Sequence, residues 1–302
     1  MVNKILKPIT LAFASMMLIT LSSGAFAKEV KEKFDGLTVN ANLVMASGAT
    51  MQDNIVLLTH GTLTHKGRST YNHLQKNLAY EGMSSLAINL SLGLDDRSGE
   101  YDCAVPHTHK HTDALDEIDF WVDWLEKQGS QNITLMGHSR GGNQTAWYAS
   151  ERDRNSIKNV VLVAPATGEQ QSAKEYQDKY GVSVDTILAK ANKMIKAGKG
   201  QELMKDTDFI YCKKAQVTAE AFVDYYTVKP QFDTPTLLQD LKKPTLVIMG
   251  TADTVVADLP EKIKPLVDAG KIETLMLEDA DHFFLDFANE DMAAGTVEFI
   301  NQ

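Results

Sequence analysis

The chain is short of the features that mark several protein classes. It has two cysteines in 302 residues, with no CxxC and no metal-type cysteine spacing. That excludes thiol redox motifs and cysteine-based zinc sites. It has no internal repeat and no low-complexity tract, which excludes solenoids and biased, disordered arrays. Positive charge is in deficit: 30 lysines and arginines stand against 40 aspartates and glutamates, a formal charge of −10. Such a chain is ill suited to nucleic acid or an anionic membrane surface. Its one long apolar run, Ile9 to Leu21, is shorter than the roughly 20 residues that span a bilayer.

That run belongs to a different pattern. Lys4 and Lys7 precede it, and Ala25-Phe26-Ala27 follows as a small-x-small site. Positive start, apolar middle and small-residue end describe a secretory signal peptide over residues 1–27, cleaved after Ala27. The expected mature chain is 28–302, periplasmic or secreted. No lysine- or arginine-rich stop-transfer flank follows, so stable membrane insertion after cleavage is not expected. No cysteine precedes Cys103, so none is placed for a lipid anchor at the cleavage site. Cleavage removes two lysines and no acid, taking the charge to −12. In an exported chain an even cysteine pair points to a disulfide, Cys103 to Cys212. Closing so long a loop would stabilise by about 4–5 kcal/mol on the entropic account.

From residue 36 onward strands and helices alternate. Leu37 to Met45 alternates apolar and polar, as in a half-buried antiparallel strand. Short strand-like runs follow at 54–59, 84–90, 132–136, 159–164, 245–249 and 274–277. Helical stretches lie at 71–80, 113–127, 142–150 and 286–300. In the second of these, Leu115, Ile118, Trp121, Val122 and Leu125 recur at helical spacing, after an acid-rich start that suits the helix dipole. Apolar strands separated by helices predict an α/β fold, a parallel sheet covered on both faces. The stretch 167–235 breaks the rhythm. It is polar and lysine-rich, reads as helical, and is too long for one crossover, so it is expected to form a cap inserted into the domain.

Gly137-His138-Ser139-Arg140-Gly141 fits G-x-S-x-G, with an apolar strand before it and a helix after it. In that setting the strand turns sharply into the helix and presents the Ser139 hydroxyl. A serine hydroxyl needs a base to take its proton. Asp253 follows the strand at 245–249, and His282 follows the strand ending near Leu277. The order Ser, Asp, His is the one this turn calls for, with all three on loops at one sheet edge. Asp253 would hold the His282 imidazole in the right tautomer. Asp258 and Asp281 are rival acids, the second ranked low because adjacent residues rarely face each other. The oxyanion hole needs two backbone N–H groups. Arg140, after the nucleophile, offers one. The loop His60-Gly61-Thr62 offers the other, with Thr62 chosen and Leu63 as the near alternative.

These motifs together resemble the α/β-hydrolase superfamily, over nearly the whole mature chain. The resemblance implies an eight-stranded, mostly parallel sheet, a hydrolytic triad and a variable cap that sets the substrate. It implies acyl transfer to water through a Ser139 acyl-enzyme, a carboxylesterase or lipase-like activity on a small-molecule acyl substrate without a cofactor, with the related acyl bonds of amides and thioesters left open. The nucleophilic serine argues against the epoxide and haloalkane branches. Two other readings stay open: a catalytically inactive binding protein on the same fold, and a metal-binding protein using His107, His109 and His111. Alternate histidines on an extended segment would face one way and could hold a transition metal. Lys110 intrudes and no carboxylate or cysteine completes the set, so a polar loop near the site rim is preferred. Asp95, Asp96 and Arg97 read as a solvated loop on the same edge. The cap aromatics Tyr176, Tyr180, Phe209, Tyr211, Phe222, Tyr225 and Tyr226 fit either an apolar pocket or a cap core.

Overall fold

The computed structural model describes residues 27–302. The signal peptide read over 1–27 lies, apart from Ala27, outside the described residues. The sheet begins one strand earlier than the apolar pattern indicates. β1 (Ala27–Phe34) pairs antiparallel with β2 (Leu37–Val44), and β1 is so charged that Val30 is its only fully buried residue. Such charge keeps an edge strand from recruiting further strands. The two are joined by a tight turn at Asp35 and Gly36, both with positive φ.

Next come β3 (Ile55–Thr59), α1 (Ser69–Tyr80), β4 (Ser84–Asn89), α2 (Asp113–Lys127), β5 (Ile133–His138), α3 (Arg140–Glu151) and β6 (Ile157–Val163). β3, β4 and β5 are buried along their whole lengths, as strands with helices on both faces must be. The chain then leaves the sheet. It returns as β9 (Thr245–Gly250), α8 (Leu259–Asp268), β10 (Glu273–Leu277) and α9 (Phe287–Ile300). The eight strands lie in the order β1-β2-β4-β3-β5-β6-β9-β10. β2 runs antiparallel to both its neighbours and the rest are parallel. The C-terminal ends of β3, β5, β9 and β10 therefore emerge along one edge.

Between β6 and β9 stand α4 (Ala173–Tyr180), α5 (Val184–Lys196), β7 (Leu203–Phe209), β8 (Cys212–Thr218), α6 (Ala219–Tyr226) and α7 (Thr234–Leu237). The sequence pattern predicts helices here, and the structure differs: β7 and β8 form an antiparallel hairpin. Its charges hide the period. Lys205, Asp206, Lys213 and Lys214 face out, while Met204, Phe209, Cys212, Ala215 and Val217 turn into a second apolar core. That core also takes Tyr176, Phe222, Tyr225 and Tyr226 and is separate from the core around the sheet.

Two ties bind this layer to the loop after β4. Cys103 and Cys212 form a disulfide across 109 residues of sequence. His107 adds a rung beside β8, its N–H donating to the Gln216 carbonyl and its carbonyl accepting from the Thr218 N–H.

Candidate active site

Ser139 sits at the junction of β5 and α3 with φ +57° and ψ −124°. A non-glycine residue held there carries strain of about 1–3 kcal/mol, and the surrounding backbone must impose it. The Ser139 N–H donates to the Val163 carbonyl at 2.9 Å, and its carbonyl accepts from the Ala166 N–H at 2.9 Å. Gly141 is needed for the same turn, because a Cβ there would collide with the carbonyl oxygens of Thr59 and His60. α3 begins at Arg140, so its N-terminal dipole lies beside the serine.

The Ser139 Oγ lies 2.9 Å from His282 Nε2, and His282 Nδ1 lies 2.8 Å from Asp253 Oδ2. Serine and histidine are each 6% exposed. The other Asp253 oxygen accepts from the N–H groups of Val255 and Val256. Burial works against the Asp253 charge, but its bond to His282 and these amides hold its carboxyl below the ordinary range. The rival acids are engaged elsewhere. Asp258 accepts from the Thr167 hydroxyl and pairs with Lys262 at 2.9 Å. Asp281 accepts from the Phe283 N–H in its own turn.

A second network lies behind the triad, which the motif pattern does not reveal. His138 Nε2 lies 2.8 Å from the His282 carbonyl, and His138 Nδ1 lies 2.8 Å from the Tyr71 hydroxyl. A carbonyl only accepts, so Nε2 carries the proton and Nδ1 accepts from Tyr71. The Tyr71 oxygen in turn accepts from the Gly61 N–H at 2.8 Å. Burial, with repulsion from His282 next, pushes His138 down to about 3 and keeps it neutral. One chain of hydrogen bonds thus joins the loop after β3, the serine turn and the histidine loop. Gly61 itself lies close to the serine: a Cβ on it would stand 3.3 Å from Ser139 Cβ.

Tyr71→Phe leaves Gly61 N–H and His138 Nδ1 without their partner in a buried site, a disturbance worth about 1–3 kcal/mol. A small shift of a catalytic loop lowers kcat by up to about 100-fold. The expected result is a 10- to 100-fold fall (roughly) in kcat with little change in KM, measured on any ester the wild type turns over. An unchanged kcat would remove Tyr71 from the positioning role.

Ser139 opens into a cleft, and a second lies beside it toward the cap. The first, of about 460 Å3, is bordered by Gly61, Thr62, Leu63, Ser139, His282 and Phe283. Thr62 accepts from Arg140 Nε through its hydroxyl at 3.0 Å, which ties the two expected oxyanion residues to each other. The other cleft, about 340 Å3, lies toward the cap, between Arg140, Lys179, Tyr180 and Thr254.

The histidine run corrects the expectation of a polar rim loop. His107, His109 and His111 are each no more than 1% exposed and fill the seam between the sheet domain and the second core. His107 stacks on Tyr101 with ring centres 4.6 Å apart. His109 Nδ1 bonds the Tyr225 hydroxyl and His111 Nε2 bonds Asn143 Oδ1. His107 Nε2 is buried without a hydrogen-bond partner. Among the described residues no three or more His, Cys, Asp or Glu side chains are arranged to hold a metal ion. Arg97 is also buried, not solvated: its guanidinium bonds His60 Nε2 and the carbonyls of Leu90, Gly99 and Thr64. Asp95 and Asp96 stay at the surface, accepting from the Thr38 N–H and from Lys31. Period and charge are blind to all of this, because burial here comes from the cap closing over the loop.

An eight-stranded sheet of this order, with a strained serine at a strand-to-helix turn and a histidine and aspartate on later loops, defines an α/β-hydrolase. The chain matches the Hydrolase_4 family, described as serine aminopeptidase S33, over residues 50–291, and it belongs to that family. No curated protein matches it by sequence. Among solved structures it is similar to Est1E from Butyrivibrio proteoclasticus with ferulic acid bound, at 16% identity and a TM-score of 0.63, covering 90% of this chain and 100% of that one. It is similar to the α/β-hydrolase GrgF from Penicillium sp. sh18 at 14% identity and a TM-score of 0.64, covering 91% and 98%. A thioesterase domain from the curacin biosynthetic pathway matches at 16% identity and a TM-score of 0.55, covering 92% and 100%. At these identities the likeness is one of fold.

Proposed function

We propose that this protein is an exported serine esterase that cleaves a small carboxylic ester through a Ser139 acyl-enzyme. The observation that carries the reading is the unbroken line Ser139 Oγ, His282 Nε2, His282 Nδ1, Asp253 Oδ2, with both hydrogen bonds under 3 Å. His282 Nε2 takes the hydroxyl proton as Ser139 Oγ attacks the ester carbon. The carbonyl oxygen becomes an oxyanion, met by the backbone N–H groups of Thr62 and Arg140. Asp253 stabilises the imidazolium. His282 then gives the proton to the departing alkoxide, releasing the alcohol. Water repeats the sequence, losing a proton to His282 and freeing the acid and the Ser139 hydroxyl. Nothing in these steps calls for a cofactor, a nucleic acid partner or a membrane.

Export is supported by the N-terminal signal pattern and by the Cys103–Cys212 disulfide. Among the described residues no helix is long and apolar enough to cross a membrane. The test is to produce residues 28–302 and treat them with a fluorophosphonate probe. The same sample is offered p-nitrophenyl esters and, since Est1E is solved with ferulic acid, a hydroxycinnamate ester. Covalent labelling at Ser139 with turnover of at least one ester is the expected outcome. A protein that folds but neither labels nor turns over any ester is not a serine esterase.

A further inference from the structure

The two clefts share a wall. Tyr211 and Val255 border both the cleft that holds Ser139 and His282 and the one toward the cap. We propose that Tyr211 is a specificity-determining residue whose ring closes the nucleophile cleft off from the cap cleft and limits the substrate to esters of short acyl groups. This rests on the esterase reading above.

Tyr211 is 55% exposed, and the chain on both of its flanks is tied down. It stands at the tip of the β7–β8 hairpin, where Ile210 has φ +54°. The Ile210 N–H donates to the Tyr226 hydroxyl at 2.8 Å, and the Ile210 carbonyl accepts from the Tyr180 hydroxyl. On the other flank Cys212 is bonded to Cys103, which itself borders the nucleophile cleft. The Lys179 ammonium lies 3.8 Å from the centre of the Tyr211 ring, a cation over a ring face. Backbone bonds, the disulfide and the cation–ring contact tie the tip between the two clefts.

The acyl group is the part this wall meets. His282 must reach the departing oxygen to protonate it, so the alcohol leaves over His282 and Phe283. Tyr211 and Val255 border the same cleft as Ser139, so an acyl group bonded to Ser139 that lengthens toward the cap meets them. Chain length past the wall would need the cap cleft, and the ring stands between.

The experiment compares kcat/KM on p-nitrophenyl acetate, butyrate, octanoate and decanoate for the wild type, Tyr211→Ala, Tyr211→Phe and Val255→Ala. The wild type should favour the short esters. Tyr211→Ala should raise the ratio of octanoate to acetate by about tenfold, the low end of what added methylenes are worth in a pocket. Val255→Ala should move the ratio the same way. Tyr211→Phe, which keeps the ring, should hold the wild-type ratio. A wild-type length profile in both alanine variants, with the fluorophosphonate still labelling Ser139, overturns the proposal. A wild type that already prefers decanoate overturns it too. Failure of the probe to label the wild type instead brings down the esterase reading, and the wall with it.

Discussion

Ser139→Ala should abolish ester turnover, a fall on the order of 10^6 in kcat, the loss seen when a triad serine is removed. The histidine and the oxyanion loop would remain, and these alone give only a residual rate above water. No other nucleophile takes the serine's place in the described geometry, because His282 Nε2 is directed at Ser139 Oγ. The fold should be unaffected. Serine and alanine both carry a Cβ, so the backbone strain at φ +57° is the same for each. The bonds from the Ser139 N–H to Val163 and from Ala166 to the Ser139 carbonyl are made by backbone alone. The check is turnover and probe labelling beside circular dichroism. A variant keeping more than a few per cent of the wild-type rate would place the nucleophile elsewhere.

A steep loss of stability is expected as the pH falls below about 6.5, where histidine ordinarily titrates. Burial pushes six histidines below that value, His65 among them. His138 goes down to about 3 and His107 to about 4, while His60, His109 and His111 are pushed well down. The positive charge of Arg97 adds to the shift at His60 and His109, and that of Arg140 at His109 and His111. The sign follows from proton binding. Above pH 6.5 these rings are neutral in both the folded and the unfolded chain, and pH has no effect through them. Below it the unfolded chain binds protons that the folded chain refuses, so stability falls. Each ring contributes about 1.4 kcal/mol per pH unit until its folded value is reached. Glu117, which burial raises to about 7, works the other way, losing stability as pH rises from its ordinary value toward 7. Burial raises Asp113 as well, so two carboxyls stand against six imidazoles. With a total stability of about 5–15 kcal/mol usual for a domain, unfolding should set in between roughly pH 6 and 4. Melting temperatures across pH 7.5 to 4.5 measure it, and a flat profile down to pH 5 would show that these rings are not held neutral inside.

The chemistry of the site is readable in the sequence because it is written in short stretches. The serine turn needs its glycines within two residues of Ser139. Asp253 and His282 must follow apolar strands, and such strands are visible as runs of five or six residues. The sheet is readable for the same reason, since full burial makes β3, β5 and β9 mostly apolar. β1 escapes notice because an edge strand answers to solvent on most of its surface. The cap hairpin escapes because its inward residues are broken by two register shifts, so no clean alternation survives.

What the sequence by itself determined is the class of fold and which serine, aspartate and histidine come together at one sheet edge, both matters of local pattern and chain order. The tertiary structure alone decided what surrounds them. The Tyr71–His138 bond joins residues 67 apart, and the His138–His282 bond residues 144 apart. The histidine run is buried only because α6 and β8 close over it, and Tyr211 borders both clefts only because a disulfide holds its hairpin to a distant loop. Each depends on which surfaces meet after folding, and a side chain's burial and partner are set by that meeting and not by its neighbours in the chain.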